Sequence, residues 1–313
     1  MVAPQLTTHA PFVLTELPMP AVRLFVGGHA SRVQGEPQDL AGDRMFTAAH
    51  PPQTGPFAED AQITGVIDSG TFTDPPEKRL TSESALSRQL AWEVKASAMW
   101  GIPFQAMGLV SYDKLIDEKW VAGKRYKQRW PVREAESAVT ETIAAAAYLS
   151  SQRKAIAPRT LILSCQGVDA FQYKECVAEV LKLAQPHDWI GLGGWCILGR
   201  ERRWMPTFWQ ALRLILPMIA RSGVRHIHIF GVLYLEALGG LSWLADRYEL
   251  TVSTDSTGPI LNCTWKDQKK SGARMPYWRD NVAWWVNTLA NLRDTRYYKE
   301  PPRLAPARQE TFL

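Results

Sequence analysis

Short, mostly apolar runs alternate along the chain with longer segments whose apolar positions recur every three or four residues. The short runs are Val22–Val26, Arg44–Ala48, Ile63–Asp68, Gln105–Tyr112, Thr160–Cys165, Trp189–Gly193, His226–Gly231 and Leu250–Asp255. Several are apolar almost without a break, the pattern of parallel strands covered by helices on their outer side. Helical periodicity occupies 82–100, 134–150, 172–184, 206–221, 235–247 and 279–292. It is clearest in Glu134–Leu149, rich in Ala, Glu and Thr, with apolar residues at 138, 139, 143, 146, 147 and 149. Strand and helix in alternation predict an α/β fold, and eight strand segments favour a single closed (β/α)8 TIM-type barrel. An open doubly wound sheet stands second, because no G-x-G-x-x-G follows the first strand.

The barrel is expected over residues 21–299. An irregular lead-in at 1–20 and an irregular tail at 300–313 flank it, both proline-containing and poorly suited to a helix. At 313 residues and 46% hydrophobic, the chain can bury a substantial core, which excludes an intrinsically disordered protein. No apolar run approaches the roughly 18 residues of a spanning helix. The opening Met1-Val2-Ala3-Pro4-Gln5 lacks a basic region followed by an apolar stretch, so no secretory signal and a cytoplasmic location are expected. A net charge of +5 is compatible with a polyanionic partner without requiring one. The four cysteines, at 165, 176, 196 and 263, form no C-x-x-C pair and read as free thiols. Thirteen tryptophans are unusually many, and tryptophan serves both packing and base stacking.

In a barrel of this type, chemistry collects at the C-terminal ends of the strands. There the sequence places Asp68 (V-I-D-S-G-T-F), Tyr112 and Asp113 (L-V-S-Y-D), and Gln166 and Gly167 (S-C-Q-G). Further along come Gly193, Gly194 and Trp195 (G-L-G-G-W), then Asp255 (V-S-T-D-S-T-G). Any one Asp after a strand is ordinarily a turn or helix-cap residue. Three of them beside Gln-Gly and Gly-Gly point jointly to a site.

These motifs resemble those of the tRNA-guanine transglycosylase superfamily. D-S-G-T-F-T at 68–73 is similar to its D-S-G-G-F-Q, S-Y-D at 111–113 to its F-D-E, and C-Q-G at 165–167 to its V-Q-G-G. G-L-G-G-W at 191–195 is similar to its A-I-G-G-L, F-G-V at 230–232 to its M-G-V, and V-S-T-D-S at 252–256 falls at its D-M-F-D-C. Order and approximate spacing match over roughly residues 22–260. The zinc motif C-x-C-x-x-C with a distant His is missing: only Cys263 follows Asp255, and the last histidine is His228. No zinc, no zinc subdomain and no cofactor are therefore expected. The DNA 7-deazaguanine transglycosylase branch is the closer resemblance, through V-G-G-H at 26–29, G-K-R-Y-K-Q-R-W at 123–130 and S-T-D-S-T-G at 253–258.

The resemblance implies exchange of guanine in DNA for a 7-deazaguanine such as 7-cyano-7-deazaguanine (preQ0). Asp255 would be the nucleophile on C1′ and Asp68 the general base. Asp113, Gln166, Gly167, Gly193 and Gly194 would read the base, with Tyr112 or Trp195 covering its face. The chemistry agrees, since a carboxylate that holds C1′ covalently divides base exchange into two displacements with overall retention. A homodimer is implied as well, and an accessory protein stays open.

Two basic, aromatic-bearing segments would hold the nucleic acid. One is Glu118–Trp130, with Trp120, Lys124, Arg125, Lys127, Arg129 and Trp130; the other is Thr264–Arg279, with Lys269 and Lys270. The plain alternative for the first is a solvated loop. His226 and His228 alternate with isoleucines, lack a third metal ligand and read as structural, and Trp284-Trp285 read as packing. Three other functions stay open. They are the same chemistry on tRNA, a catalytically inactive nucleic-acid-binding barrel, and a glycoside hydrolase, which leaves Gln-Gly and Gly-Gly unexplained.

Overall fold

The structure, a computed structural model, describes residues 19–27, 42–52, 63–71, 79–116, 118–121, 124–199, 201–260 and 278–303. In chain order its strands are β1 (Arg23–Gly27), β2 (Gly42–Thr47), β3 (Ile63–Asp68), β4 (Gly108–Val110), β5 (Glu118–Val121) and β6 (Lys124–Lys127). They continue as β7 (Thr160–Cys165), β8 (Trp189–Leu192), β9 (His226–Ile229) and β10 (Thr251–Ser256). The helices are α1 (Ser82–Trp100), α2 (Val132–Ser151), α3 (Arg153–Ile156), α4 (Ala170–Leu181), α5 (Met205–Ser222), α6 (Leu235–Asp246) and α7 (Trp278–Ala290). Eight strands close in the order β1-β10-β9-β8-β7-β4-β3-β2, each parallel to its neighbours. The chain is a single TIM-type α/β barrel, as its periodicity predicts.

Alternation along each strand divides the core in two. Leu24, Phe46, Ile67, Leu163, Leu192 and Ile229 point outward and join the helices in the main core. Their neighbours Phe25, Met45, Val66, Val110, Ile162 and Trp189 form a separate cluster that fills the bore. Both faces are covered, which is why these strands read as nearly continuous apolar runs. The same parity aims residues two positions beyond the bore residues at the mouth, Asp68 after Val66 among them.

Two local features fix the ends of elements. Thr81 accepts a hydrogen bond from the Ser84 N–H (3.2 Å) to start α1, and Gly101 closes that helix in the left-handed region (φ 71°). Asp169 caps α4 by accepting from the Phe171 and Gln172 amides at 2.9 and 2.8 Å. The strand expected over Gln105–Tyr112 shortens to Gly108–Val110.

The basic segment after β4 is not an open loop over its whole length. β5 and β6 pair antiparallel as a hairpin apart from the barrel sheet, with Trp120 opposite Arg125, Val121 opposite Lys124 and Glu118 opposite Lys127. Among the described residues no helix is long and apolar enough to cross a membrane. Residues 1–18, 261–277 (with Cys263, Lys269 and Lys270) and 304–313 lie outside the described residues.

Candidate active site at the barrel mouth

Asp68 ends β3, and the turn after it is shaped around its carboxylate. Oδ2 accepts from the Gly70 N–H at 3.0 Å. Gly70 is left-handed (φ 86°), and a Cβ there would lie 2.8 Å from the Ala49 amide nitrogen, so glycine is required. From α1, Arg88 donates to the Ser69 carbonyl (2.5 Å) and Gln89 Nε2 to the Ile67 and Val110 carbonyls (2.8 and 3.0 Å). Burial pushes the Asp68 carboxyl up from its ordinary 3.8 to about 6. The negative charge of Asp255 adds to that rise, while the Gly70 and Ser69 N–H groups and the Arg88 cation oppose it.

Asp255, on β10, is held differently. Its Oδ1 accepts from the Gly231 N–H (2.9 Å) and pairs with His228 Nε2 (3.1 Å). No partner is found for Oδ2 among the described residues, and the side chain is 20% exposed. The mouth therefore carries two carboxylates in electrostatic reach of each other. One is pushed toward the neutral acid by burial, and the other is held by hydrogen-bond donors.

A second cluster follows around the rim. Gln166, fully buried, donates through Nε2 to Asp113 Oδ2. That bond fixes the amide and leaves Gln166 Oε1 buried without a partner among the described residues. Such an orphan is costly unless something else supplies a donor. Tyr112 is half-buried beside Asp113. A Cβ on Gly167 would lie 2.5 Å from the Tyr173 amide nitrogen, so this glycine lets the first turn of α4 approach. Gly194 is buried and left-handed (φ 76°).

Four expected contacts are corrected by the packing. Arg129 does not reach outward to phosphate: only 8% exposed, it donates to the carbonyls of Val168 (3.0 Å), Gly194 (3.2 Å) and Gly167 (2.8 Å). Its guanidinium also sits 4.4 Å from the Trp195 ring centroid and 4.9 Å from that of Trp204. Arg129 is thus an internal clamp on the loops after β7 and β8. Trp195 is 1% exposed between Tyr173 and Phe208, so it cannot cover a substrate base. The Gly193 amide donates to the Cys165 carbonyl (2.9 Å) and its carbonyl accepts from Tyr173 Oη (2.8 Å). That backbone is spent on tying β7 to β8 rather than on reading a base. Trp130 is likewise committed, packing half-buried on Ile116, Ala135, Ala138 and Val168.

Lys124, Arg125 and Lys127 lie on β6 and Trp120 on β5, on the connection that leaves the β4 end of the barrel. Of the tryptophan pair, Trp284 is 53% exposed and Trp285 packs against the core. Among the described residues no group of three or more His, Cys, Asp or Glu side chains is placed to hold a metal ion. His228, Gly231 and Arg88 are site residues that sequence reasoning missed. For His228 a signal existed: it shares strand parity with His226, and Asp255 shares parity with Ser253 and Thr251. The pairing of β9 with β10 that joins the two sets is a tertiary fact.

Comparison of the chain with models of protein families gives no match, and no curated protein matches it. Among solved structures, a putative lyase/mutase from Burkholderia cenocepacia J2315 is similar over 85% of this chain and 91% of that one, at 9% identity and a TM-score of 0.33.

Proposed function

We propose that the protein exchanges guanine in DNA for a 7-deazaguanine base through a covalent Asp255–C1′ intermediate. The observation that carries this reading is the unequal carboxylate pair at the mouth, Asp68 raised to about 6 and Asp255 with one oxygen held and the other unpaired. Environments that drive two carboxyls apart are how one site supplies both an acid/base and a nucleophile. In the first displacement Asp255 Oδ2 bonds to C1′ as the C1′–N9 bond breaks, and the departing guanine takes a proton from Asp68. In the second, the incoming base gives its N9 proton to the Asp68 carboxylate, N9 bonds to C1′, and Asp255 is released. Two inversions give net retention. A group that both gives and takes a proton near neutrality is best served by a value close to the working pH, as at Asp68.

Recognition of a purine edge is supported by the Asp113–Gln166 pair. Its carboxylate accepts, and the orphaned Gln166 Oε1 offers a further acceptor to N–H groups such as those of guanine. Tyr112 is the remaining aromatic candidate for the base face. The target nucleotide must leave the duplex stack to reach this depth, at a cost of a few kcal/mol. Phosphate contacts by Lys124, Arg125 and Lys127, with Trp120 filling the vacated stack, would offset that cost.

Incubating the full chain with radiolabelled guanine and either DNA or tRNA tests the reading. Label entering DNA, and an Asp255→Ala protein that incorporates none while retaining DNA affinity, is the expected result. Label entering tRNA alone would transfer the chemistry to the other polymer. Incorporation by Asp255→Ala would remove the nucleophile and the covalent mechanism with it.

A further inference from the structure

A polar line runs the height of the bore, along the paired strands β9 and β10. From the bottom it passes from Thr251 Oγ1 to His226 Nδ1 (2.7 Å), from His226 Nε2 to Ser253 Oγ (2.7 Å) and from Ser253 Oγ to His228 Nδ1 (2.8 Å). It ends with His228 Nε2 at Asp255 Oδ1 (3.1 Å). The parallel register sets Thr251 opposite His226 and Ser253 opposite His228, so the side chains interleave as rungs. Four residue steps of strand carry the line from Thr251 to Asp255, a span of about 13 Å. Aromatic rings wall the line. Trp189 stacks on His226 at 3.8 Å between centroids, while Phe25 and Phe230 meet His228 edge-on at 5.9 and 4.8 Å. The ionisable groups facing it are Arg23, paired with Asp43 near His226, and Asp68, near Asp255.

Proton counting leaves few arrangements. Burial pushes His226 down to about 3, with the neighbouring His228 ring and the Arg23 cation adding to the fall, so its ring is neutral near neutral pH and has one N–H to give. With an ionised Asp255 as terminal acceptor and a single proton on the His228 ring, every bond points the same way. Thr251 donates to His226 Nδ1, His226 Nε2–H to Ser253, Ser253 to His228 Nδ1, and His228 Nε2–H to Asp255. The opposite polarity would leave a lone pair of His228 Nε2 facing a carboxylate. It becomes complete only when Asp255 carries a proton and donates it to His228, with Thr251 turning its hydroxyl to the Arg225 carbonyl, 3.0 Å away.

From this we infer that His228, kept in its Nε2–H form by Ser253, His226 and Thr251, is the positioning residue for Asp255. With the Gly231 amide it immobilises Oδ1 by neutral donors, so that Oδ2 is the oxygen presented to an electrophilic carbon. A second ring nitrogen fixed by an outer partner is the usual means of orienting a histidine that itself orients a reactive group. Two neutral donors hold the carboxylate without the full charge of a cation, so it keeps its nucleophilicity. The inference uses the proposed role of Asp255 for its consequence in rate, whereas the hydrogen-bond line itself stands without it.

The test is nitrogen NMR of the full-length protein labelled with 15N-histidine, His226 and His228 being assigned from His226→Gln and His228→Gln proteins. At neutral pH each ring is expected to present its N–H at Nε2 and a bare Nδ1. In Ser253→Ala the His228 ring should lose that single form, and Ser253→Thr, which keeps a hydroxyl, should restore it. With base exchange as the readout, Ser253→Ala should lower kcat at least about tenfold with KM little changed, and Ser253→Thr should recover most of it. A proton on Nδ1 of His228, or a doubly protonated ring, would overturn the inference, as would an unaltered kcat in a Ser253→Ala protein whose His228 signal has changed. If the wild-type protein exchanges no base on either polymer, the proposed reaction fails while the ring-nitrogen signals still decide the hydrogen-bond line.

Discussion

Replacing Asp68 by Asn should stabilise the protein, and by an amount that depends on pH. Folding carries this carboxyl from its ordinary 3.8 to about 6, so the native state binds its proton more tightly than the unfolded chain does. For a raised group the favourable contribution is complete below 3.8 and is lost as pH climbs to about 6. Above that, the ionised side chain costs the fold up to about 3 kcal/mol, from 1.36 kcal/mol for each pH unit of displacement. Asn has the same shape, can still accept from the Gly70 amide and carries no charge to bury. The stability difference between Asp68→Asn and the wild type should therefore grow by about 2–2.5 kcal/mol between pH 4 and pH 7 and then level off. For a chain of 313 residues this is roughly 3–4 °C in melting temperature. Urea unfolding of both proteins at half-unit steps of pH measures it, and taking the difference cancels titrations the two share. A difference that stays flat from pH 4 to 8 would show that Asp68 is not held out of its ordinary range, and the acid/base role would fall with it. The expected gain in stability at the expense of turnover is the signature of a group kept for chemistry rather than for folding.

Other perturbations separate the parts of the site. Arg129→Met removes the donors of three buried carbonyl contacts and should destabilise by more than about 3 kcal/mol, measured by denaturant unfolding, with no change in the salt dependence of DNA binding. Gly191→Ala places a Cβ 2.6 Å from the Phe230 ring inside the bore and should cost about 1–3 kcal/mol in the same assay; a neutral effect would mean that Phe230 can move aside. Neutralising Lys124, Arg125 and Lys127 together should flatten the log–log salt dependence of DNA binding by up to about 0.9 per lost duplex contact, read by titration at several salt concentrations. An unchanged slope would return the β5–β6 hairpin to a solvated projection.

The barrel and the polar residues at its rim are legible in the periodicity of the chain. Nearly continuous apolar strands alternating with amphipathic helices permit few architectures, and the bounds of Ile63–Asp68, Thr160–Cys165 and Ser82–Trp100 follow directly from their periodicity. Asp68, Asp113, Gln166 and Asp255 were legible because polar residues ending apolar strands have few reasons to be there. Tertiary structure decided what each side chain touches, and three residues show why that could not be read ahead. Arg129 sits in a basic segment that looks solvent-borne, yet two tryptophan rings and three carbonyl oxygens, all distant in sequence, draw it inside. Trp195 follows a glycine pair that suggests a substrate pocket, yet the turn folds its ring between Tyr173 and Phe208. His228 alternates with isoleucines as a core histidine would, and only the register of β9 on β10 brings it to Asp255. Periodicity records which face of an element is buried, because burial acts on each residue locally. Partners depend on register and on how separate loops meet, and no local pattern encodes those.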